Sequence, residues 1–443
     1  MNNLKLLFLI LIASFSIYSQ EKLTAREAVF KALENNYQMR IAHKQDDIAD
    51  KNNKWSEAGL FPTVELSAAL GNSIIDNTNN PFTFTPGLIS NQSITPGLTA
   101  NWNIFSGFGV YITKQRLELL KEQSHQNELL ILENTALDVL KAYYSALLEA
   151  SRLQVFKDLY KQSQKQLRLE EQKAEYGGAN RLSVYQLNNQ VFSDSINVIQ
   201  QEISSKNALR NLMLLMNVSM ERLENDQFPT LTDSLKIPLD PIDDGNITET
   251  VLKNNQNVKN QVINLELQKK NTELQRSFLY PTLGIQAGAQ PNFGRFRSLS
   301  DANIDAATQQ ITYFGNINLR FNLFNNWKDK RAVEVSKIQE EIANYNLKEM
   351  EKQVVTTVKN LLDNYNVRNQ LVNLAAQNVD YAELAFEIGM ERYEMGQINS
   401  IELSQLQNSY MNAQMEYYNN MYQRLDIYLE IIKTTGKLQL DYS

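Results

Sequence analysis

Cysteine is absent from these 443 residues. No disulfide framework, lipid-bearing N-terminal Cys, thiolate nucleophile or zinc–thiolate site is therefore available. The two histidines, His43 and His125, have no second His or Cys at ligand spacing, so they read as surface residues and no metal is expected. No Gly-rich phosphate loop, nucleophile motif or paired catalytic carboxylate stands out. Gly107-Phe-Gly109 reads as a strand-to-helix joint rather than a nucleotide loop. The chain is thus expected to be no enzyme, with no catalytic residue and no cofactor. A basic excess is missing too: the net charge of −7 makes it a poor partner for nucleic acid. Beyond the opening residues no run approaches 18 consecutive apolar residues, so no membrane-crossing helix is expected.

The opening itself, residues 1–19, has Lys5, an apolar run from Leu6 to about Ile17, and small residues at Ser16 and Ser19. It reads as a secretory signal peptide, too short for a membrane anchor. Cleavage near Ser19–Gln20 removes Lys5 and takes the net charge from −7 to −8.

What is present is present twice. Shifted by 219 positions, Pro62 falls on Pro281, Asn36 on Asn255, Phe105 on Phe324, and Gly177, Asn180 and Gln186 on Gly396, Asn399 and Gln405. Such a unit is too long for a solenoid, whose repeats run to roughly 20–50 residues. The first repeat is assigned to 20–217 and the second to 247–436. A Pro-bearing linker, 218–246, separates them, with Pro229, Pro238 and Pro241, and a short tail, 437–443, follows.

After each aligned proline the apolar period becomes two. Val64, Leu66, Ala68 and Leu70 alternate with polar or small residues, as do Leu283, Ile285, Ala287 and Ala289. A second strand follows in each half: Leu98, Ala100, Trp102 and Ile104, then Ile317, Leu319, Phe321 and Leu323. Strands of about 8–11 residues are long enough for a tilted crossing of an outer membrane. Leu319 is expected on the lipid face near mid-membrane and Asn318 on the opposite face. Trp102, Tyr313 and Phe321 are interface-type aromatics. The intervening stretches, Gly71 to Gly97 and Gln290 to Gln310, read as long polar loops. Four strands cannot close a barrel and open edges are not tolerated in lipid, so a membrane sheet of this kind must oligomerise.

From Val110 to Tyr176 there is neither Gly nor Pro, and Lys328 to Tyr393 is interrupted only by Gly389. Leu132, Val139, Ala146, Leu153, Tyr160 and Leu167 recur every seven residues, as do Val358, Tyr365, Val372, Val379, Phe386 and Tyr393. That repeat predicts coiled-coil packing. Each long helix should stop at glycine, Gly177-Gly178 or Gly396, and reverse into a shorter helix capped by Asn180 or Asn399.

The Trp102-Asn-Ile-Phe105 and Phe321-Asn-Leu-Phe324 boxes, the prolines before alternating strands and the Gly-x-x-Asn tips together resemble TolC-like outer-membrane efflux proteins. The resemblance spans nearly the whole mature chain. It implies a mainly α fold with a small antiparallel β part. Duplicated coiled-coil hairpins form an α-barrel, and four strands per chain enter a trimeric 12-stranded β-barrel. It further implies a homotrimer in outer-membrane lipid with its helices in the periplasm, acting as exit duct for an inner-membrane pump and a periplasmic adaptor. Glu402 takes the first acidic constriction position of that family; Gln405 takes the second and Ser183 is the equivalent in the first half. Ile398 replaces an arginine that pins the family's tips. Gly177, Gly178, Asn180, Gly396 and Asn399 mark the adaptor-docking end. Leu66, Trp102, Ile285, Leu319, Phe321 and Leu323 mark the membrane strands. The acidic run Asp380, Glu383, Glu387, Glu391 and Glu394 reads as an outer, solvated face. The rival reading is a periplasmic coiled-coil scaffold or adhesin-like fibre without a conduit, which leaves the paired amphipathic strands unexplained.

Overall fold

The computed structural model describes residues 22–176, 180–236, 242, 245–301 and 303–438. The expected signal segment, Gly177, Gly178, Pro238, Pro241 and most of the tail lie outside these. In chain order the elements are β1 (Lys22–Leu23), α1 (Ala25–Asn35), α2 (Tyr37–Asn52), β2 (Thr63–Asp76), β3 (Leu88–Ser106), α3 (Gly109–Glu175) and α4 (Arg181–Leu215). The linker stretch carries α5 (Met220–Glu224) and β4 (Thr230–Leu231). The second series is α6 (Ile247–Asn254), α7 (Gln256–Ser277), β5 (Thr282–Ser298), β6 (Asp305–Arg320), α8 (Lys328–Glu394) and α9 (Ser400–Thr434). The helices α3 and α8 both have 67 residues and α4 and α9 both have 35, each pair displaced by 219 at both ends.

Repeated asparagines set the local turns. Asn36 interrupts α1 and α2, its Oδ1 accepting from the Gln38 N–H at 2.7 Å while its Nδ2 donates to the Leu215 carbonyl at 3.2 Å. Asn255 does the same between α6 and α7, toward Asn257 at 3.0 Å and the Thr434 carbonyl at 3.0 Å. Each side chain thus opens one helix and satisfies a terminal carbonyl of another.

The chain divides into two compact units, each drawing on both halves of the repeat. One comprises residues 1–44, 126–259 and 349–443. Its core packs Ala28, Val29 and Ala32 of α1 against Val139, Leu140 and Tyr143 of α3, with Leu212 of α4 and Leu425 of α9. The Tyr143 hydroxyl donates to the Leu23 carbonyl at 2.8 Å, and β1 pairs in parallel with β4. The Asp233 carboxylate accepts from Ala25 N–H at 2.7 Å, so the linker stretch caps α1 rather than running as a bare loop.

On α8 the heptad stripe is buried at Val358, Tyr365, Val372, Phe386 and Tyr393, with Val379 half-buried. On α3 only Val139 and Ala146 of the stripe are buried, with Leu132 and Leu153 half-buried. Beyond that the buried face passes to Val155, Leu159, Ser163, Gln166 and Glu170, leaving Tyr160 and Leu167 half-buried. A straight α-helix drifts about 20° per heptad, enough to rotate the stripe away over several turns.

The other unit comprises residues 45–125 and 260–348. Its sheet has strand order β2-β3-β5-β6, antiparallel throughout, so β2 and β6 are open edges. Its strands exceed the expected 8–11 residues: β2 has 14, β3 has 19, β5 has 17 and β6 has 16. Most of the stretches read from sequence as loops are therefore strand, leaving hairpin turns at 77–87 and 299–304.

Candidate functional site

Register aligns the strands into two faces of opposite character. On one face lie the rows Trp102, Ile285 and Ile317; Val64, Ala100, Ala287 and Gly315; Leu66, Leu98, Ala289 and Tyr313; then, past the pairs Ala68–Pro96 and Pro291–Ile311, Leu70, Ile94, Phe293 and Gln309. Most of these side chains are exposed, Leu66 at 79% and Ile317 at 74%, while Ala100, Ile285 and Ala289 are half-buried. The reverse face carries Thr63, Asn101, Gln286 and Asn316 in one row, and Thr99 and Asn318 nearby. From Leu283 to Phe293 the apolar face extends about 34 Å along the strand. Tilted as barrel strands are, that is close to the roughly 25 Å height of a lipid-facing band.

The expected strand residues divide. Leu66, Trp102, Ile285 and Leu319 share the apolar face. Leu319 pairs with Leu283 at the helix-proximal end of the band, whereas Leu66 and Leu98 occupy its middle. Phe321 and Leu323 lie beyond the end of β6. A bulge between Asn103 and Phe105 sets Phe105, rather than Ile104, opposite Leu283.

An aromatic collar surrounds this end. In both repeats a left-handed pair turns strand into helix, Gly107-Phe108 and Asn326-Trp327. Gly107 is obligatory there, since an added Cβ would lie 2.2 Å from the Ser277 carbonyl oxygen. Phe105 packs edge-on to Phe108 at 5.3 Å and Phe324 to Trp327 at 5.8 Å, with Trp55 against Tyr111 at 5.6 Å. Lys330 sits over the Trp327 ring at 4.2 Å. Such a girdle suits a membrane–water interface.

At the reversals of the long helices, Asn399 caps α9, accepting from the N–H groups of Ile401 and Glu402 at 3.0 Å. The Glu402 carboxylate returns the contact, accepting from Asn399 N–H at 3.0 Å. This is a capping box. Asn180 caps α4 through Leu182 N–H at 3.1 Å, and Gly396 has the left-handed φ of +73° expected of a helix stop. Glu402 and Gln405 are exposed and Ser183 is half-buried. Ile398 packs into an apolar cluster with Leu187, Phe386, Tyr393 and Leu403. The acidic run from Asp380 to Glu394 is exposed throughout. His43 is mostly exposed and pairs with Glu128 at 3.1 Å.

Above the tips lies a buried polar layer that helical periodicity alone does not reveal. Ser163 donates to Asp194, Gln190 Nε2 donates to the same carboxylate at 2.9 Å, and Gln407 Nε2 donates to Ser163 at 2.9 Å and to Asp194 at 3.3 Å. Burial raises the Asp194 pKa above the ordinary carboxylate value, against the opposing pull of these donors. The Tyr393 hydroxyl donates to Glu170 at 2.5 Å, and burial, then the neighbouring carboxylate, raises the pKa of that phenol.

A four-stranded antiparallel sheet, apolar on one face and polar on the other, with open edges, an aromatic collar and duplicated 67-residue helices, has the features of a subunit of a membrane barrel continued by helices. A family model described as outer membrane efflux protein matches residues 28–218 and 247–437, and the chain belongs to that family. Solved structures of the same fold include CusC, at 13% identity over 93% of this chain and 92% of that one, TM-score 0.76. The CmeC outer membrane channel of Campylobacter jejuni is 16% identical over 93% and 85%, TM-score 0.77. The open state of the Neisseria gonorrhoeae MtrE outer membrane channel is 14% identical over 95% and 90%, TM-score 0.70. No curated protein sequence matches it. Family membership puts the chain in the outer membrane of a Gram-negative cell, its helical part in the periplasm.

Proposed function

We propose that three copies of this chain form a passive exit duct, the outer-membrane component of a three-part export system. The observation that carries the reading is the sheet: a lipid-compatible face, a polar face and two unpaired edge strands. In lipid an open edge leaves backbone groups without partners, so β6 of one copy would pair with β2 of the next until the ring closes. The polar face would then line water, and the inward Asn, Gln and Thr side chains would offer no tight binding site to passing solute. The chain is read as having no catalytic step. Energy would come from an inner-membrane pump, with a periplasmic adaptor docking on the tips marked by Gly177, Gly178, Asn180, Gly396 and Asn399.

At the constriction we place Glu402, followed by Gln405 and, in the first hairpin, Ser183. Three Glu402 carboxylates would favour cations and resist anions. The decisive experiment is single-channel recording from the purified protein in a planar lipid bilayer. Discrete cation-preferring steps are expected; a folded protein that does not insert would overturn the duct. Glu402→Gln should reduce cation preference, and because Gln at the same position can keep the capping hydrogen bond, the change reads charge rather than helix fraying. Face assignment has its own test. Leu98→Arg, mid-band, should cost about 2–4 kcal/mol of folding stability in lipid, and Leu319→Arg near the interface about 0–1.

A further inference from the structure

The charged residues of the apolar face are confined to its hairpin end. Along the strands they are Asp76, Arg295, Arg297 and Asp305; Glu65 and Arg320 belong to the polar face. Beyond the Leu70, Ile94 and Phe293 row comes a polar one, Asn72, Gln92 and Arg295, and then Arg297 opposite Asp305. Between Ile94/Phe293 and Leu98/Ala289 the β3–β5 ladder has no paired positions; Pro96 and Pro291 stand in that gap and have no N–H to donate. A groove of about 480 Å³ opens next to the gap, lined by Leu70, Ile94 and Phe293 on its apolar side and by Asn72, Gln92 and Arg295 on its polar side.

Charge at this end is balanced, Arg295 and Arg297 against Asp76 and Asp305, but the charged side chain lining the groove is Arg295. Arg295 holds Asp305 with two parallel bonds, Nε at 3.0 Å and Nη2 at 2.8 Å. Three of its five N–H donors remain for other acceptors. Arg297 is on the same face one row outward, opposite Asp305 in the β5–β6 ladder. Asp76 is engaged locally, accepting from Thr78 N–H at 2.9 Å and its hydroxyl at 2.6 Å. The helices join the strands at the other end, so with helices in the periplasm this corner lies at the outer leaflet.

We propose that this corner is a binding site for a phosphate-bearing lipid of the outer leaflet. One acyl chain lies in the Leu70–Ile94–Phe293 groove and the phosphate sits on Arg295 and Arg297, with Asn72 and Gln92 contacting the polar headgroup. Planar guanidinium groups suit phosphate oxygens in two-point contact. Placed at the band's rim, their cost in lipid is small compared with mid-membrane arginine. Asp305 orients Arg295 without neutralising the pair. The assignment rests on the sheet lying in the outer membrane.

The test uses full-length purified protein in detergent, titrated with fluorescent bisphosphorylated lipid A, its monophosphorylated form, and inorganic phosphate as competitor. The bisphosphorylated lipid should bind at least about tenfold more tightly than the monophosphorylated one. Arg295→Gln/Arg297→Gln should abolish that preference while retaining weak acyl-dependent binding. Arg297→Gln alone leaves the Arg295–Asp305 pair in place and should lose a smaller part, which guards against misfolding of the double variant. Equal affinities of wild type and variants, or complete displacement by millimolar phosphate, would overturn the lipid site. Insertion into phosphatidylcholine vesicles is measured in parallel. Wild type that inserts without phosphate preference sinks this site alone; wild type that does not insert sinks the membrane reading and this site with it.

Discussion

In the first helical hairpin α3 meets α4 through the buried Ser163–Asp194 bond, while the buried Gln166 and Glu170 of α3 turn to Met390 and Tyr393 of α8. At the positions 219 further on, in α8 and α9, stand Ala382, Ala385, Gly389 and Ala413, of which Gly389 and Ala413 are buried. At Gly389 the helices approach so closely that an added Cβ would lie 2.3 Å from a Leu406 methyl. Helix lengths, caps and reversals are duplicated while the interior chemistry is not. The backbone plan is fixed by element length and asparagine caps, and either interior satisfies it. A hydrogen-bonded layer incurs desolvation but ties three helices to one register, since Gln407 of α9 reaches Ser163 of α3 and Asp194 of α4. A small-residue seam needs no partner and tolerates sliding.

The sharpest test of this contrast transplants one interior into the other. Ala413 is buried, so Ala413→Asp places a carboxylate where the Ser163 and Gln190 equivalents, Ala382 and Ser409, do not form that network. A loss of about 3–5 kcal/mol is expected in denaturant unfolding of the purified protein. A loss under about 1 kcal/mol would mean that the second interior can satisfy a buried charge after all, and the contrast would dissolve. Tyr393→Phe is the next step down. It removes the bond that crosses from α8 to Glu170 on α3 and leaves a buried carboxylate without its donor, at a cost of about 1.5–3 kcal/mol. If the variant is as stable as wild type, the Tyr393–Glu170 bond adds nothing to the joining of the hairpins beyond the Gln407 bonds and the apolar cluster around Leu187 and Leu403.

The duplication, the strand faces and the capped reversals were legible because each leaves a periodic or punctuating mark. Strand length was not. Alternation is visible only where an apolar face contrasts with a polar one, and past Leu70 and Phe293 that contrast is lost: Ile74 and Ile75 stand on opposite faces among Asn72, Gln92 and Asn91, so these stretches read as loop. The bulge between Asn103 and Phe105 was hidden because one extra residue barely changes composition, yet it reassigns Ile104. The polar layer was missed because Ser, Gln and Glu at helical spacing look like a solvated face. Its signal was the mismatch with Ala and Gly one repeat later. Glu402 carried a local mark, Asn399-x-x-Glu402, that reads as a capping box independently of any constriction.

The smallest expected effect is also the most specific. Burial raises the Asp194 carboxyl pKa, and Glu133, buried in the same unit, is raised for the same reason. A carboxyl with a raised folded-state pKa holds its proton more tightly folded than unfolded. Between the ordinary value of about 4 and the raised one, folding takes up a proton, so stability falls as pH increases through that window. Below the window both states are protonated and the dependence vanishes. Asp194→Asn removes that residue's share: its melting temperature should vary less with pH than wild type, with the difference opening above pH of about 4. Ala413 offers no group to titrate at the matching position, so this share of the slope belongs to the first hairpin. An unchanged slope in Asp194→Asn would assign the titration to Glu133 and remove pH from the contrast, leaving the two interiors different in packing but not in charge.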